Sequence, residues 1–246
     1  MKVNILGIPI DNLDDQEIES FIDDSKNKKC QMVVTVNPEI IMEAQTDRHY
    51  QKIIQQADLC IPDGMGIMMA AKYLGSPLKK RITGMDLIEL VCQKAITNNQ
   101  SIFLLGGLPG VSDQVVQKLI KLYPGIKISG FDSGFRFWGF RLPDLFLRNK
   151  INRSRADILL VAMGAPKQEL WIAKNKDHLR SVKLAIGVGG AFDFISGNVK
   201  RAPKILQKVG LEWLWRLASQ PWRGARIITA VWSFPMAVIK NKRRTT

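Results

Sequence analysis

Short runs rich in valine, isoleucine and leucine alternate along the chain with longer stretches whose apolar residues recur at helical spacing. The pattern predicts strands over 3–10, 32–38, 58–64, 101–107, 127–134 (a strand running into a loop), 156–164 and 183–194. Between them it predicts helices over 14–26, 39–57, 66–75, 86–99, 111–124, 143–153 and 167–179. The strands carry apolar residues without polar alternation, as in IFLL (102–105) and DILLVAM (157–163). A strand of that kind is buried on both faces, which implies a parallel sheet covered by helices on each side. The predicted fold is therefore α/β, a Rossmann-like parallel sheet flanked by helices. In such a sheet ligands bind in the crevice at the carboxyl ends of the strands. Polar and small residues gather there: Asn37, Asp63, the Gly106–Gly107 pair, Gly164-Ala165-Pro166 and Gly189–Gly190.

Beyond residue 196 the pattern changes. KILQKVGLEWLWRLAS reads as an amphipathic helix after Pro203, and Pro221 opens a second segment, WRGARIITAVWSFPMAVIKNKRR. The division expected is a catalytic domain over 1–196 and a helical appendage over 197–246. Charge sharpens it. The whole chain carries 36 basic and 22 acidic residues, net +14. Residues 197–246 hold eleven of the basic residues and one acid, Glu212, so the appendage alone is +10 and the body +4. An anionic partner is implied, met by the tail. Four of the six tryptophans (213, 215, 222 and 232) lie in this basic stretch. Tryptophan beside Arg and Lys suits an anionic membrane surface, and a helical hairpin packed on the body is the competing reading. The apolar part, IITAVWSFPMAVI, is interrupted by Pro235 and is too short to cross a bilayer.

Several chemistries lack their residues. The cysteines (Cys30, Cys60, Cys92) are scattered and odd in number, which suggests neither a disulfide framework nor a zinc site. The start, MKVNILGIPID, reaches Pro and Asp too soon for a signal peptide. Only His49 and His178 could supply imidazole, and no D-x-D or paired histidines suggest a metal site. No cofactor is expected. A carboxylate is then the natural general base for a hydroxyl, and Asp63 in IPDGMG is the candidate. The same residue reads equally well as a helix N-cap followed by a turn glycine.

Thr35 and Asn37, on alternate positions of TVNPE, would present a hydroxyl and an amide on one side of a strand end; alternatively Asn37 simply turns the chain before Pro38. Arg81 would clamp a diphosphate or stand solvated in its loop. The turn at Gly106 and Gly107 would let backbone N–H groups approach phosphate or would be purely structural. Gln168 sits at a helix start facing the same crevice. Neither a G-x-G-x-x-G nor a Walker lysine pattern is present, so the dinucleotide and P-loop readings are weak.

In this order TVNPEI, DGMGI, RITGMDL, FLLGGLPGV, DILLVAMGAPKQELWI, GVGGAFDFISGNVKRAP and GLEWLWRL resemble the WecG/TagA/CpsF family, from about residue 2 to residue 226. The resemblance implies an inverting, metal-independent glycosyltransferase. It would move a sugar, N-acetylmannosamine-type in the better-known members, from a UDP-sugar donor to GlcNAc on a polyprenyl-diphosphate-linked acceptor. The setting would be cell-surface polysaccharide or teichoic acid synthesis, peripheral at the inner face of the bacterial cell membrane. Carried onto this chain, Asp63 would be the base and Thr35 and Asn37 would lie by the donor sugar. Arg81 would hold the diphosphate and Gln168 would contact the donor. Arg216, Arg223 and Arg226 would close over the phosphates. Ala162 stands where glycine is usual in that block, and the apolar extension after Arg226 lies outside the matched motifs. A glucosyl- or glucuronosyltransferase on a similar acceptor shares every one of these features. A nucleic-acid-binding protein would explain the charge but lacks stacked-aromatic RNA signatures, so no nucleic acid partner is expected. Self-association as a homo-oligomer is left open.

Overall fold

The computed structural model describes the 246-residue chain except residues 135–142, 204, 207–210, 222–223 and 246, and except the side chains of Arg216, Ala225, Arg244 and Thr245. A two-stranded antiparallel hairpin comes first: β1 (Lys2–Ile5) and β2 (Ile8–Asp11). The single strand expected over 3–10 is thus two. Leu6 and Gly7 both take positive φ, 51° and 82°, and the Gly7 N–H donates to the Asn4 side chain at 2.9 Å. Two central residues of that hand make the tight hairpin turn that matches strand twist.

The main sheet comprises β3 (Gln31–Val36), β4 (Leu59–Pro62), β5 (Ser101–Gly106), β6 (Lys127–Asp132), β7 (Ile158–Ala162) and β8 (Leu184–Gly187). Every pairing in it is parallel and the order is β4-β3-β8-β7-β5-β6. Its strands feed two cores by alternation. Met32, Val34 and Val36 point into one and Val33 into the other; Phe103 and Leu105 oppose Ile102 and Leu104 in the same way. The first core is covered by α2 (Pro38–Thr46), α3 (Arg48–Gln55), α4 (Met65–Tyr73), α7 (Asp144–Ser154) and α8 (Lys167–Asn175). The second lies under α1 (Asp15–Asp24), α5 (Gly84–Thr97), α6 (Val111–Leu122) and α9 (Ala191–Ser196).

Two expected boundaries differ for local reasons. The stretch 39–57 is two helices because the Asp47 carboxylate accepts the His49 and Tyr50 N–H groups and starts α3 afresh. The last strand ends at Gly187 rather than running to 194, and AFDFIS forms α9. Its apolar residues Ala191, Phe192 and Ile195 face the core at helical spacing, which a short window does not separate from a strand.

The C-terminal segment returns to the body. α10 (Glu212–Ser219) is followed by α11 (Gly224–Ile228), a π turn (Thr229–Ser233) and α12 (Phe234–Thr245). Pro235 does not break this run. The helix widens to π geometry just ahead of it, which accommodates the missing N–H and the ring. Ile227, Phe234 and Val238 are buried against the body, with Phe234 resting on Gly66 of α4 beside Pro38. This face of the tail packs on the body through Ile227, Phe234 and Val238. Ile228, Trp232 and Met236 are left outside, 59%, 70% and 64% exposed. No helix among the described residues is long and apolar enough to cross a membrane.

Candidate functional site

The helix after β3 covers one face of the sheet and the helix after β8 covers the other, although β3 and β8 are neighbours. Their divergence opens a crevice at the carboxyl ends, which is the switch-point geometry for ligand binding. A cleft of about 750 Å³, its open mouth included, occupies this place. The end of β3 contributes Thr35, Asn37 and Glu39, and the end of β4 contributes Asp63. Thr83, Gly84 and Met85 start α5; Gly164, Ala165 and Gln168 follow β7; Gly189 and Gly190 follow β8. Arg201, Glu212 and Arg226 reach in from the C-terminal segment.

Asp63 lies half-buried where the chain leaves β4, its N–H donating to the Val36 carbonyl at 2.8 Å. It is not the cap of the following helix. Gly64 holds that position, with no side-chain cap and at φ 97°, ψ 150°, a conformation that suits glycine. The N-cap position of IPDG thus falls on the glycine, and Asp63, one residue earlier, lines the cleft.

Asn37 turns the chain ahead of Pro38 and starts α2. Its Oδ1 caps α2 by accepting the Ile40 N–H at 3.0 Å, while the residue lines the cleft. Thr35 is nearly sealed, and its hydroxyl donates to the Gly187 carbonyl at 3.0 Å, tying β3 to β8 beneath the cleft floor. Gln168 is also buried. Its Oε1 accepts the N–H groups of Gly164 (3.2 Å) and Gly189 (2.9 Å), and its Nε2 donates to the Glu169 carboxylate at 2.6 Å. Glu169 is fully buried, and the Tyr50 hydroxyl donates to its second oxygen at 3.0 Å. Burial pushes its pKa up, against the opposing pull of the hydrogen bonds from Gln168, its own backbone and Tyr50.

Some expected residues lie elsewhere. Arg81 is half-buried in the loop before Thr83 and does not line the cleft, although Thr83 and Gly84 next to it do. Gly106 ends β5 and Gly107 follows it; neither is among the residues lining the cleft, and the hydrogen bonds there are internal. The Gly107 N–H donates to the Ala162 carbonyl at 3.0 Å, and the Gly106 carbonyl accepts from Ser112 at 2.6 Å. A Cβ on Gly106 would stand 2.5 Å from the Ala162 carbonyl oxygen, at φ 109°. The geometry is that of a structural turn. Gly106→Ala is accordingly expected to destabilise the fold by about 3 kcal/mol, read as a lower urea midpoint with unchanged slope. Arg216's side chain and the whole of Arg223 lie outside the described residues.

Arg226 is in the cleft and pairs with Glu39 at 2.5 Å. This contact joins the tail to the TVNPE block. Arg201 was not singled out from sequence. It comes from the basic loop of GNVKRAP, and its guanidinium donates to the Thr83 hydroxyl at 3.3 Å. Glu39, Thr83 and Glu212 were also missed. All four lie within motif blocks already marked as unusual, so the signal was present but did not distinguish which side chain faces the crevice. Among the tail tryptophans, Trp215 is used structurally: its indole N–H donates to the Lys200 carbonyl at 3.0 Å, pinning α10 to the loop that carries Arg201. Trp222 is outside the described residues. Among the described residues no three His, Cys, Asp or Glu side chains cluster as metal ligands do.

The family model described as "Glycosyl transferase WecG/TagA/CpsF family" matches residues 3–246. Relatives include an N-acetylglucosaminyldiphosphoundecaprenol N-acetyl-beta-D-mannosaminyltransferase of Bacillus spizizenii, 36% identical over 96% of this chain and 91% of that protein. A protein of the same name from Bacillus subtilis is 36% identical over 86% of this chain and 80% of its own length. Another from Staphylococcus aureus is 32% identical over 99% of this chain and 94% of its own.

Proposed function

This chain belongs to the WecG/TagA/CpsF family of glycosyl transferases, and from that premise we propose that it transfers an N-acetylmannosamine-type sugar from UDP to polyprenyl-diphosphate-linked GlcNAc. The anomeric configuration inverts in one displacement. Asp63 takes the proton from the attacking hydroxyl as its oxygen bonds to the anomeric carbon. The bond from that carbon to the diphosphate breaks, and UDP departs with the electron pair. Negative charge grows on the departing phosphate, so fixed positive groups aimed at it lower the barrier. Arg201 and Arg226 supply two such groups at the cleft, and the α5 N-terminus supplies a partial charge beside them.

The single observation that carries the reading is the arrangement in the switch-point cleft: Asp63, Arg201 and Arg226 line the same space at the carboxyl ends of the strands. The relatives named above act on GlcNAc-diphosphoundecaprenol, which is the reason for that acceptor here. Self-association as a homo-oligomer is not part of this reading.

A membrane surface as partner is supported by the outer side of the tail. Ile228, Trp232 and Met236 are exposed there, Met69 and Tyr73 are exposed on α4, and Lys242 of α12 lies over the Tyr73 ring at 4.4 Å. Exposed Lys240 and Arg243 add cations near anionic headgroups. A tail docked on the membrane would bring a lipid-linked substrate near the cleft that Arg201, Glu212 and Arg226 line. The proposed location is peripheral, at the inner face of the cell membrane.

A purified full-length preparation, offered UDP-N-acetylmannosamine, UDP-glucose and UDP-glucuronic acid with GlcNAc-diphosphate-lipid in anionic vesicles, tests both parts. The expected result is turnover with the first donor only, and flotation with the vesicles. Transfer from UDP-glucose or UDP-glucuronic acid alone would replace the sugar assignment, and activity without vesicle association would remove the membrane partner.

A further inference from the structure

The cleft floor depends on a polar group that touches no solvent. Gly164 and Gly189 both lie in the left-handed region, at φ 75° and 53°, on the loops that follow β7 and β8. A single atom, Gln168 Oε1, accepts the N–H of each. That works only while the Gln168 amide faces one way. Turned over, it would set its NH₂ group against two N–H donors and its oxygen against a carboxylate. The residue that decides the orientation is Glu169, whose Oε1 accepts from Gln168 Nε2 at 2.6 Å. With Oε1 placed as the acceptor of that N–H, the group offers no donor there to the oxygen of a reversed amide. Its second oxygen is held by Tyr50 from α3. Space is reserved for the arrangement: a Cβ on Gly187 would lie 2.7 Å from Gln168 Nε2 and 3.2 Å from Glu169 Oε1.

We propose that Glu169 is a positioning residue for donor binding, its carboxylate orienting the Gln168 amide and thereby holding the Gly164 and Gly189 loops at the cleft. The inference rests on the donor reading above and extends it to a residue that no substrate touches. A buried acid kept only for stability would predict something different. Removing it would lower the melting temperature but leave the cleft of the surviving folded protein unchanged. Burying an acid is costly unless it is hydrogen-bonded, and this one is bonded on both oxygens. The bond on Oε1 leads to the cleft and the bond on Oε2 leads away from it, so the two roles separate by mutation.

Full-length variants Glu169→Met, Tyr50→Phe and the exchange Gln168→Glu with Glu169→Gln are compared with wild type by UDP titration and by NMR amide exchange at Gly164 and Gly189. Glu169→Met leaves the Gln168 NH₂ unpaired. It should weaken UDP binding about tenfold and speed exchange at both glycines. Tyr50→Phe should lower the melting temperature while UDP affinity stays within about twofold, since the Oε1 contact survives. The exchange restores the polarity. The carboxylate, moved to position 168, accepts from both glycines and from the amide NH₂ moved to position 169, and the oxygen of that amide accepts from Tyr50. The double variant should recover most of the affinity that Gln168→Glu alone loses, because that single change sets two buried carboxylates together.

Equal affinities for Glu169→Met and wild type, or equal losses in Glu169→Met and Tyr50→Phe, would overturn the proposal. If Glu169→Met does not fold, the exchanged pair decides, and no gain over Gln168→Glu rejects the idea. Should wild type itself ignore UDP, the donor reading fails, while glycine exchange still tests whether Glu169 holds the loops.

Discussion

Asp63→Asn should reduce sugar transfer by about 10²–10⁴-fold, the usual span for removing a general base, while UDP affinity stays within about twofold. The substitution keeps the shape and hydrogen-bonding reach of the side chain and removes the proton acceptor. The backbone there should change little, because Gly64 holds the N-cap position of α4 and shapes the turn. The measurement is a single-turnover transfer assay beside a calorimetric UDP titration on the same preparation. A loss confined to KM would mean that the carboxylate binds substrate rather than taking a proton. Retained turnover would remove Asp63 as the base and turn attention to Glu39 and Glu212, the other carboxylates lining the cleft.

Arg226→Ala should lower turnover by about 10²–10³-fold, as expected when one preorganised group facing a developing anion is removed. The fall should appear mainly in kcat, since charge on the leaving phosphate grows toward the transition state. Arg226→Lys should recover only part of it, because a point charge replaces a planar fork. Stability should scarcely move. The ion pair with Glu39 is partly open to solvent, and the tail is held to the body by Phe234, Val238 and Ile227 instead. If Arg226→Ala instead unseats the tail, protection of α4 and α2 in hydrogen exchange will fall along with activity. A full-rate Arg226→Ala enzyme would show that the tail's cation plays no part in the chemistry.

The parallel sheet was readable from local pattern because burial on both faces demands uninterrupted apolar strands, and β3, β5, β7 and β8 have them. The crevice was readable too, as the place where polar and glycine residues follow those strands. Asp63, Thr35, Asn37 and Gln168 all line it, as their positions implied. Their duties were less legible. Thr35 and Gln168 spend hydrogen-bonding capacity inside the protein, on the Gly187 carbonyl and on two loop N–H groups. Thr35 meets a carbonyl 152 residues away, and Gln168 joins a glycine 4 residues before it to one 21 residues after it, a pairing that spacing along the chain does not disclose.

Glycine misled in one place and informed in another. The Gly106–Gly107 pair has the composition of a phosphate-approaching turn, yet the carbonyl of a neighbouring strand already takes the Gly107 N–H. Gly64 looked like ordinary turn chemistry and instead keeps Asp63 from being a cap.

Linear order was enough for the class of fold, the location of the crevice and the cationic, tryptophan-rich character of the tail. Each of these depends on near neighbours: periodicity, turn residues and charge per segment. The strand order β4-β3-β8-β7-β5-β6, the return of α12 onto α2 and α4, the Arg226–Glu39 pair and the Tyr50–Glu169–Gln168 chain came from folding in three dimensions. They join residues separated by tens to nearly two hundred positions, and such contacts exist only once loop closure has been offset by burial of both cores.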